Sequence, residues 1–186
     1  MSTDESDIDM ALASRLRTER LNRNWSMQEL ADQAGISKAM VGRMEKGTVS
    51  PTANLLSKVA NAFGLTLSTL LARTENAHGD FLAHGEQEVW VDPETHYVRR
   101  LVSPPGGRGS DLTEVTLPAM TSVHFDNQSN AISCQQIVVL DGVLNFEGAR
   151  KHFQLSAGDW FLAPETGPRS FANRQSAPCR YLLISE

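Results

Sequence analysis

The 186-residue sequence predicts an α + β chain of two domains, a five-helix bundle followed by an antiparallel β-barrel or sandwich. Three observations predict this. Up to residue 72, apolar residues recur at a helical period of about 3.6. From residue 88 on they recur at a period of about 2, in short runs divided by turn residues. Between the two lies RTENAHGDFLAHGEQ, small and polar, which reads as a linker over 73–87. The expected organisation is a disordered acidic tail at 1–8, a helical domain at 9–72, the linker, and a β domain at 88–186.

The first helix is expected over 9–22, with Ile8, Leu12, Leu16 and Leu21 on its buried side. Ser26-x-x-Glu29 is a capping box that opens the second helix, and Trp25 with Leu30 suits a hydrophobic staple. Leu30, Ala31 and Ala34 form its apolar stripe, and Gly35 ends it because glycine adopts positive φ freely. Ser37 can cap a third helix that closes at Gly47. Ile36, Met40 and Met44 give that helix a buried side. Lys38, Ala39, Gly42 and Arg43 give it an open one, two long donors separated by small residues. Pro51, with Ser50 as cap, suits the start of a fourth helix built on Leu55, Leu56, Val59, Ala60 and Phe63. A short fifth helix over 66–72 carries Leu67, Leu70 and Leu71. The second and third helices form a helix-turn-helix, whose second helix enters the DNA major groove.

The stretch LRTERLNRNWSMQELADQAGISKAMVGRMEKGTVSPTANLLSKVANAFGLTLSTLL resembles the lambda-repressor-like domain of Cro and cI-type repressors, the XRE family. The motifs LA-x-x-AG-IS, R-x-E-x-G and SPT and a closing amphipathic helix come in family order. The resemblance implies an ion pair between Arg20 and Glu45. Base reading is expected from Ser37, Lys38, Ala39 and Arg43, since Lys and Arg can donate to guanine and a methyl can meet thymine. Phosphate contacts are expected from Met27, Gln28, Lys46, Thr48, Ser50 and the starts of the second and fourth helices. The implied partner is double-stranded DNA, a palindromic operator held by a homodimer.

Charge is divided accordingly. Residues 10–75 hold nine basic and five acidic residues, a net of +4, whereas the first nine residues hold four acids and 76–186 carry a net of −5. This asymmetry suits one domain that faces nucleic acid and one that does not. No run approaches the ~20 apolar residues a membrane span needs. The N-terminus MSTDESDID lacks the basic and apolar regions of a signal peptide. Cys134 and Cys179 are widely spaced, with no C-x-x-C, and suit a reducing cytoplasm. The sequons at Asn24 and Asn127 then read as chance. His78 and His84, both in the linker, have no third ligand beside them.

In the second half, EVWV, HYVRRLV, LTEVTL, CQQIVVLDGVLNF, HFQLS, DWFLA, RSFANR and CRYLLIS read as strands. Gly158-Asp159, Pro164, Gly167, Arg169 and Asn173, together with Gln135 and Gly142, resemble the two motifs of the cupin family. The resemblance implies a metal held by two His and a Glu from the first motif and a His from the second. This chain departs from that set. Gln135 replaces the Glu, residues 129–132 read Ser-Asn-Ala-Ile, and Arg169 stands at the second-motif His. Arginine stays protonated and repels a cation. His124 and Asp126 form an H-x-D pair that could supply a partial site. No metal and no cofactor are expected, and no enzyme signature is present. What remains is a small-molecule pocket lined by Gln135, Arg169, Asn173, Trp160, Phe146, Phe171, Tyr181 and His124, with Arg169 suited to an anionic effector. Two alternatives stand beside it: a β domain that only dimerises, and a metal-dependent cupin oxygenase or isomerase with a vestigial DNA-binding domain.

Overall fold

The computed structural model describes residues 4–71, 81–103, 110–126, 135–148, 151–163 and 167–185, and of 4–9 the backbone alone. His78, Asn127, Cys134 and the stretch 129–132 lie outside the described residues.

Helix α1 spans Asp4–Asn22 and so starts five residues before the expected 9. Residues 4–8 are helical, not a disordered tail. Their acidic composition suits the positive end of a helix dipole. Leu12, Ala13 and Leu16 are buried, but Leu21 is exposed, because the chain turns away one residue beyond it. Helix α2 (Met27–Ala34) carries the full capping box: Ser26 Oγ accepts from Glu29 N at 3.1 Å, and Glu29 Oε2 accepts from Ser26 N at 2.6 Å. These bonds hold the Glu29 carboxyl below its usual range. Gly35 ends the helix at φ 64°. Helix α3 (Lys38–Glu45) is capped by Ser37, and its buried residues are Val41 and Met44, with Ile36 and Met40 only half-buried. Helix α4 (Ala53–Phe63) is capped by Thr52, two residues beyond the expected Ser50. Pro51 is buried ahead of the cap, outside the first turn. Trp25 stacks on Phe63 at 6.0 Å and ties the α1–α2 turn to α4. Helix α5 (Leu67–Leu71) closes the bundle.

After a 3₁₀ turn at His84–Glu86 come ten strands among the described residues. They are β1 (Val89–Val91), β2 (Val98–Leu101), β3 (Asp111–Leu117), β4 (Thr121–Phe125), β5 (Gln135–Asp141), β6 (Val143–Gly148), β7 (Lys151–Ser156), β8 (Trp160–Ala163), β9 (Arg169–Asn173) and β10 (Cys179–Ser185). The sequence pattern anticipates all but β4. One sheet has the order β1-β2-β3-β10-β5-β8 and the other β4-β9-β6-β7. Strands β3 to β10 thus divide between two facing antiparallel sheets in the double Greek key of a jelly roll, the layout cupins use. The sheets stay separate, so the domain is a sandwich and not a closed barrel. Inward residues alternate with outward ones along the strands. Phe146 packs on Phe161 at 4.7 Å and on Phe171 at 5.4 Å, and Phe171 stacks on Tyr181 at 6.1 Å.

The two domains share side-chain contacts. Asp92, in the β1–β2 turn, is buried, and its Oδ1 accepts from Ala53 N at 2.9 Å at the first turn of α4. Asp126, just past β4, meets Asn54 Nδ2 at 3.1 Å and Lys58 Nζ at 2.5 Å. At α5 and the residue before it, the Thr66 and Thr69 hydroxyls donate to Asp111 Oδ2 at 3.2 Å each, and the Ser68 hydroxyl lies 2.8 Å from that of Thr113.

Asp92→Ala removes the acceptor of a buried backbone N–H, so we expect a loss of about 1–3 kcal/mol in urea unfolding. Loss of less than about 0.5 kcal/mol would mean that water replaces the carboxylate. Burial pushes the Cys179 thiol up to about 11. A thiol reagent at a pH of about 8 is therefore expected to modify Cys179 only in denaturant, as read by peptide mass.

Candidate nucleic-acid interface and polar pocket

The recognition surface is set by a buried ion pair. Arg20 Nε and Nη2 donate to the two oxygens of Glu45 at 2.6 and 2.8 Å, and Arg20 Nη1 donates to the Trp25 carbonyl at 2.7 Å. The pair joins α1 to the end of α3, and the hydrogen bond to Glu45 raises the Arg20 pKa. With α3 held this way, Ser37, Lys38, Ala39 and Arg43 are presented on one side of the bundle, with Lys38 and Ala39 exposed. Met27 lies beside Gly42: a Cβ at residue 42 would stand 4.0 Å from the Met27 sulfur. Small residues at 39 and 42 keep the helix surface low between the two cations. Gln28 donates to Asp32 Oδ1 at 2.9 Å, and Thr48 Oγ1 donates to the Arg43 carbonyl at 3.2 Å. Lys46 is the C-cap of α3, and both it and Ser50 are exposed. The expected phosphate site at the start of α4 is corrected. Ala53 is buried and its amide is held by Asp92, so no phosphate can reach it in this arrangement.

The second cluster lies at one end of the β-sandwich. Arg169 is 3% exposed and Arg99 5% exposed. Arg169 Nη1 donates to Gln135 Oε1 at 2.8 Å, while its Nε and Nη2 have no partner among the described residues. Arg99 Nη2 donates to Ser68 Oγ at 2.9 Å, and its Nε is likewise unpartnered among them. Gln135 stands opposite Ser185 in the β5–β10 register. The Tyr97 hydroxyl is buried with no hydrogen-bond partner among the described residues. Gly148 faces Arg169 across β6 and β9, where a Cβ would come within 3.1 Å of the Arg169 Cβ. Glycine is what lets that arginine sit against the strand. Burial pulls the Arg169 pKa down to about 10. The enclosed space is small, about 20 Å³, bounded by Leu67, Ser68, Tyr97, Arg99, Gln135 and Ser185 among others.

The remaining pocket candidates divide. Phe146, Phe171 and Tyr181 are buried inside the sandwich. Three are corrected. Trp160 is 59% exposed and its indole N–H donates to Gln136 at 3.0 Å on the outer face, because Phe161 takes the inward position of β8. The His124 side chain is 58% exposed and lies 3.4 Å from Asp126, outside the sandwich. Asn173 is buried but spends its amide elsewhere. Its Nδ2 reaches the Leu117, Pro118 and Ala177 carbonyls at 3.2, 3.0 and 2.8 Å, which fastens a turn. It borders an open groove of about 450 Å³ on the four-stranded sheet. A cupin metal centre does not fit these residues. A guanidinium and an amide bond each other where ligands would converge, and His124 is turned outward.

The HTH_3 helix-turn-helix profile matches residues 16–70. The chain is 36% identical over 66 residues to the HTH-type transcriptional regulator SutR of Escherichia coli, covering 36% of this chain and 37% of that protein. It is 34% identical over 73 residues to an uncharacterized HTH-type transcriptional regulator of Haemophilus influenzae, covering 39% of this chain and 74% of that one. The chain belongs to the HTH_3 helix-turn-helix family. A crystal structure of an HTH_3 family transcriptional regulator from Vibrio cholerae superposes with a TM-score of 0.80 at 21% identity, over 97% of this chain and 98% of that one. At that identity the likeness is one of fold, and it takes in both the helices and the sheets.

Among the pocket residues absent from the sequence-based candidates are Arg99, Ser68 and Tyr97. For Arg99 a signal exists. Tyr97, Arg99 and Leu101 alternate along one strand, so the two apolar neighbours place the arginine inward. The Arg20–Glu45 pair yields a prediction. Glu45→Ala leaves a buried guanidinium without its carboxylate and should cost about 3 kcal/mol, read by urea unfolding. The double variant Arg20→Met, Glu45→Leu should recover most of that loss; failure to recover would place the cost outside the pair.

Proposed function

We propose that this chain is a DNA-binding transcriptional regulator that acts as a homodimer on a palindromic operator and carries an effector pocket in its β-sandwich. The observation that supports DNA binding is the open α3 face of Lys38, Ala39 and Arg43, held in place by the Arg20–Glu45 pair. Arg43 or Lys38 reads guanine and Ala39 meets a thymine methyl. Met27, Gln28, Lys46, Thr48 and Ser50 flank that face as phosphate contacts. One recognition helix covers half a site, so two copies would span half-sites roughly 34 Å apart or a multiple of that.

The pocket reading rests on Arg169. A buried cation with no counter-charge among the described residues is costly, and a ligand carboxylate, phosphate or sulfate would supply the missing acceptors. This makes the effector a small anion. A purely dimerising role for the sandwich draws on a different observation: Leu140, Trp160 and Leu162 lie exposed on β5 and β8, which pair with each other. The two readings are compatible, and the second alone leaves the buried arginines unexplained. The enzyme reading lacks a ligand set for a metal among the described residues.

Arg43→Ala is expected to relax base preference at one operator position by about 1–3 kcal/mol. A randomised-site binding screen with unchanged preference would remove Arg43 from base reading. Lys46→Ala should weaken binding to all sequences alike and lower the slope of log K against log salt by about 1. Phosphate at constant ionic strength should raise the melting temperature of the parent chain and leave that of Arg169→Gln unmoved. Equal shifts in both would overturn the anion pocket.

A further inference from the structure

Helix α5 stands in the wall of the polar pocket. Leu67 and Ser68 line it, although α5 also packs on α4 within the helical bundle. The pocket has room for about 20 Å³, the space of roughly one water. A phosphate, sulfate or carboxylate group is several times that size. A group of that size calls for more room than the pocket offers, and displacement of Ser68 and α5 from its wall would supply it.

The hydrogen bonds lead to the same place. Arg99 gives one of its donors to the Ser68 hydroxyl at 2.9 Å, and Ser68 also lies 2.8 Å from the Thr113 hydroxyl. Ser68 is a neutral acceptor set against a buried guanidinium. Arg99 Nε remains without an acceptor among the described residues, and so do Nε and Nη2 of Arg169, which bonds Gln135 in the wall of the same pocket. A charged oxygen bonds such donors about twice as strongly as a hydroxyl does. Building on the anion reading above, we infer that α5 is the pocket's internal occupant: a small oxyanion and Ser68 compete for Arg99 and its neighbouring donors, so anion binding unseats α5 from the sandwich. The effector site then belongs to both domains, and a segment of the DNA-binding bundle reports its occupancy directly. Transmission requires no change in the linker.

The test locks the seat. Ser68→Cys with Thr113→Cys places two thiols where the hydroxyls now touch. In the full-length double variant, phosphate binding is measured by calorimetry at constant ionic strength, before and after oxidation. The reduced chain is expected to bind phosphate, the oxidised chain to lose at least tenfold in affinity, and reductant to restore it. As a second variant, Ser68→Ala weakens the seat without a cross-link. It should bind phosphate at least threefold more tightly than the parent, with faster amide hydrogen exchange over 67–71 when phosphate is present. Equal affinity in oxidised and reduced forms, or in Ser68→Ala and parent, overturns the competition and leaves the anion pocket standing. If the parent, the reduced double variant and Ser68→Ala all fail to bind phosphate or sulfate, the anion reading itself falls, and the competition with it.

Discussion

The bidentate Arg20–Glu45 pair sets the geometry on which the rest of the helical half depends. It spans 25 residues of sequence and is nearly sealed from water. A single guanidinium there satisfies both oxygens of the α3 carboxylate and the carbonyl of Trp25, three acceptors from two segments. Planar fork geometry of this kind tolerates little rotation. The angle of α3 is therefore dictated by α1, and the presentation of Lys38, Ala39 and Arg43 follows from that angle. Residues buried inside the bundle thus decide which residues of α3 lie open.

The β half is organised by the opposite circumstance, charge that is buried and left partly unanswered. Asn173 shows how this fold treats a buried polar group that serves the architecture. Its amide reaches three carbonyls and fastens a turn. Arg99 and Arg169 are treated differently, with donors to spare and only an amide and a hydroxyl between them among the described residues. The contrast within one sandwich separates a group whose donors are all used by the fold from groups whose donors are not, among the described residues. Natural interiors rarely leave such donors idle.

How much of this is legible in the sequence depends on how local each cause is. Ser26, Glu29, Gly35 and Ser37 act on amides within a few residues, so the caps of the two motif helices can be read directly. The start of α4 cannot, because its first amide is answered by Asp92, 39 residues away. In the sandwich, Trp160 misleads because DWFLA is apolar on both faces; only packing of Phe161 against Phe146 and Phe153 decides which side is in. Strand β4 escapes notice because His124 stands out as a ligand, although Val123 and Phe125 alternate around it. Gln135 and Arg169 are marked by their motif positions. Ser68 carries no mark at all, since nothing in LSTLL distinguishes a serine that faces another domain from one that faces water.

The sheet order has a consequence for how the chain is made. Strand β3 pairs with β10, so Leu112 finds its neighbour in Ile184, and β5 pairs with β10 as well. During synthesis the helical bundle can assemble from contacts within its own roughly 70 residues, which is fast and local. The six-stranded sheet has to wait for β10. Until then Thr113 and Arg99 have no completed sheet to hold them, and α5 finishes folding with one side unmatched. A newly emerging chain would therefore own a complete α3 before it owns the sheet that α5 packs against, and the seven-residue strand β10 is what completes that sheet.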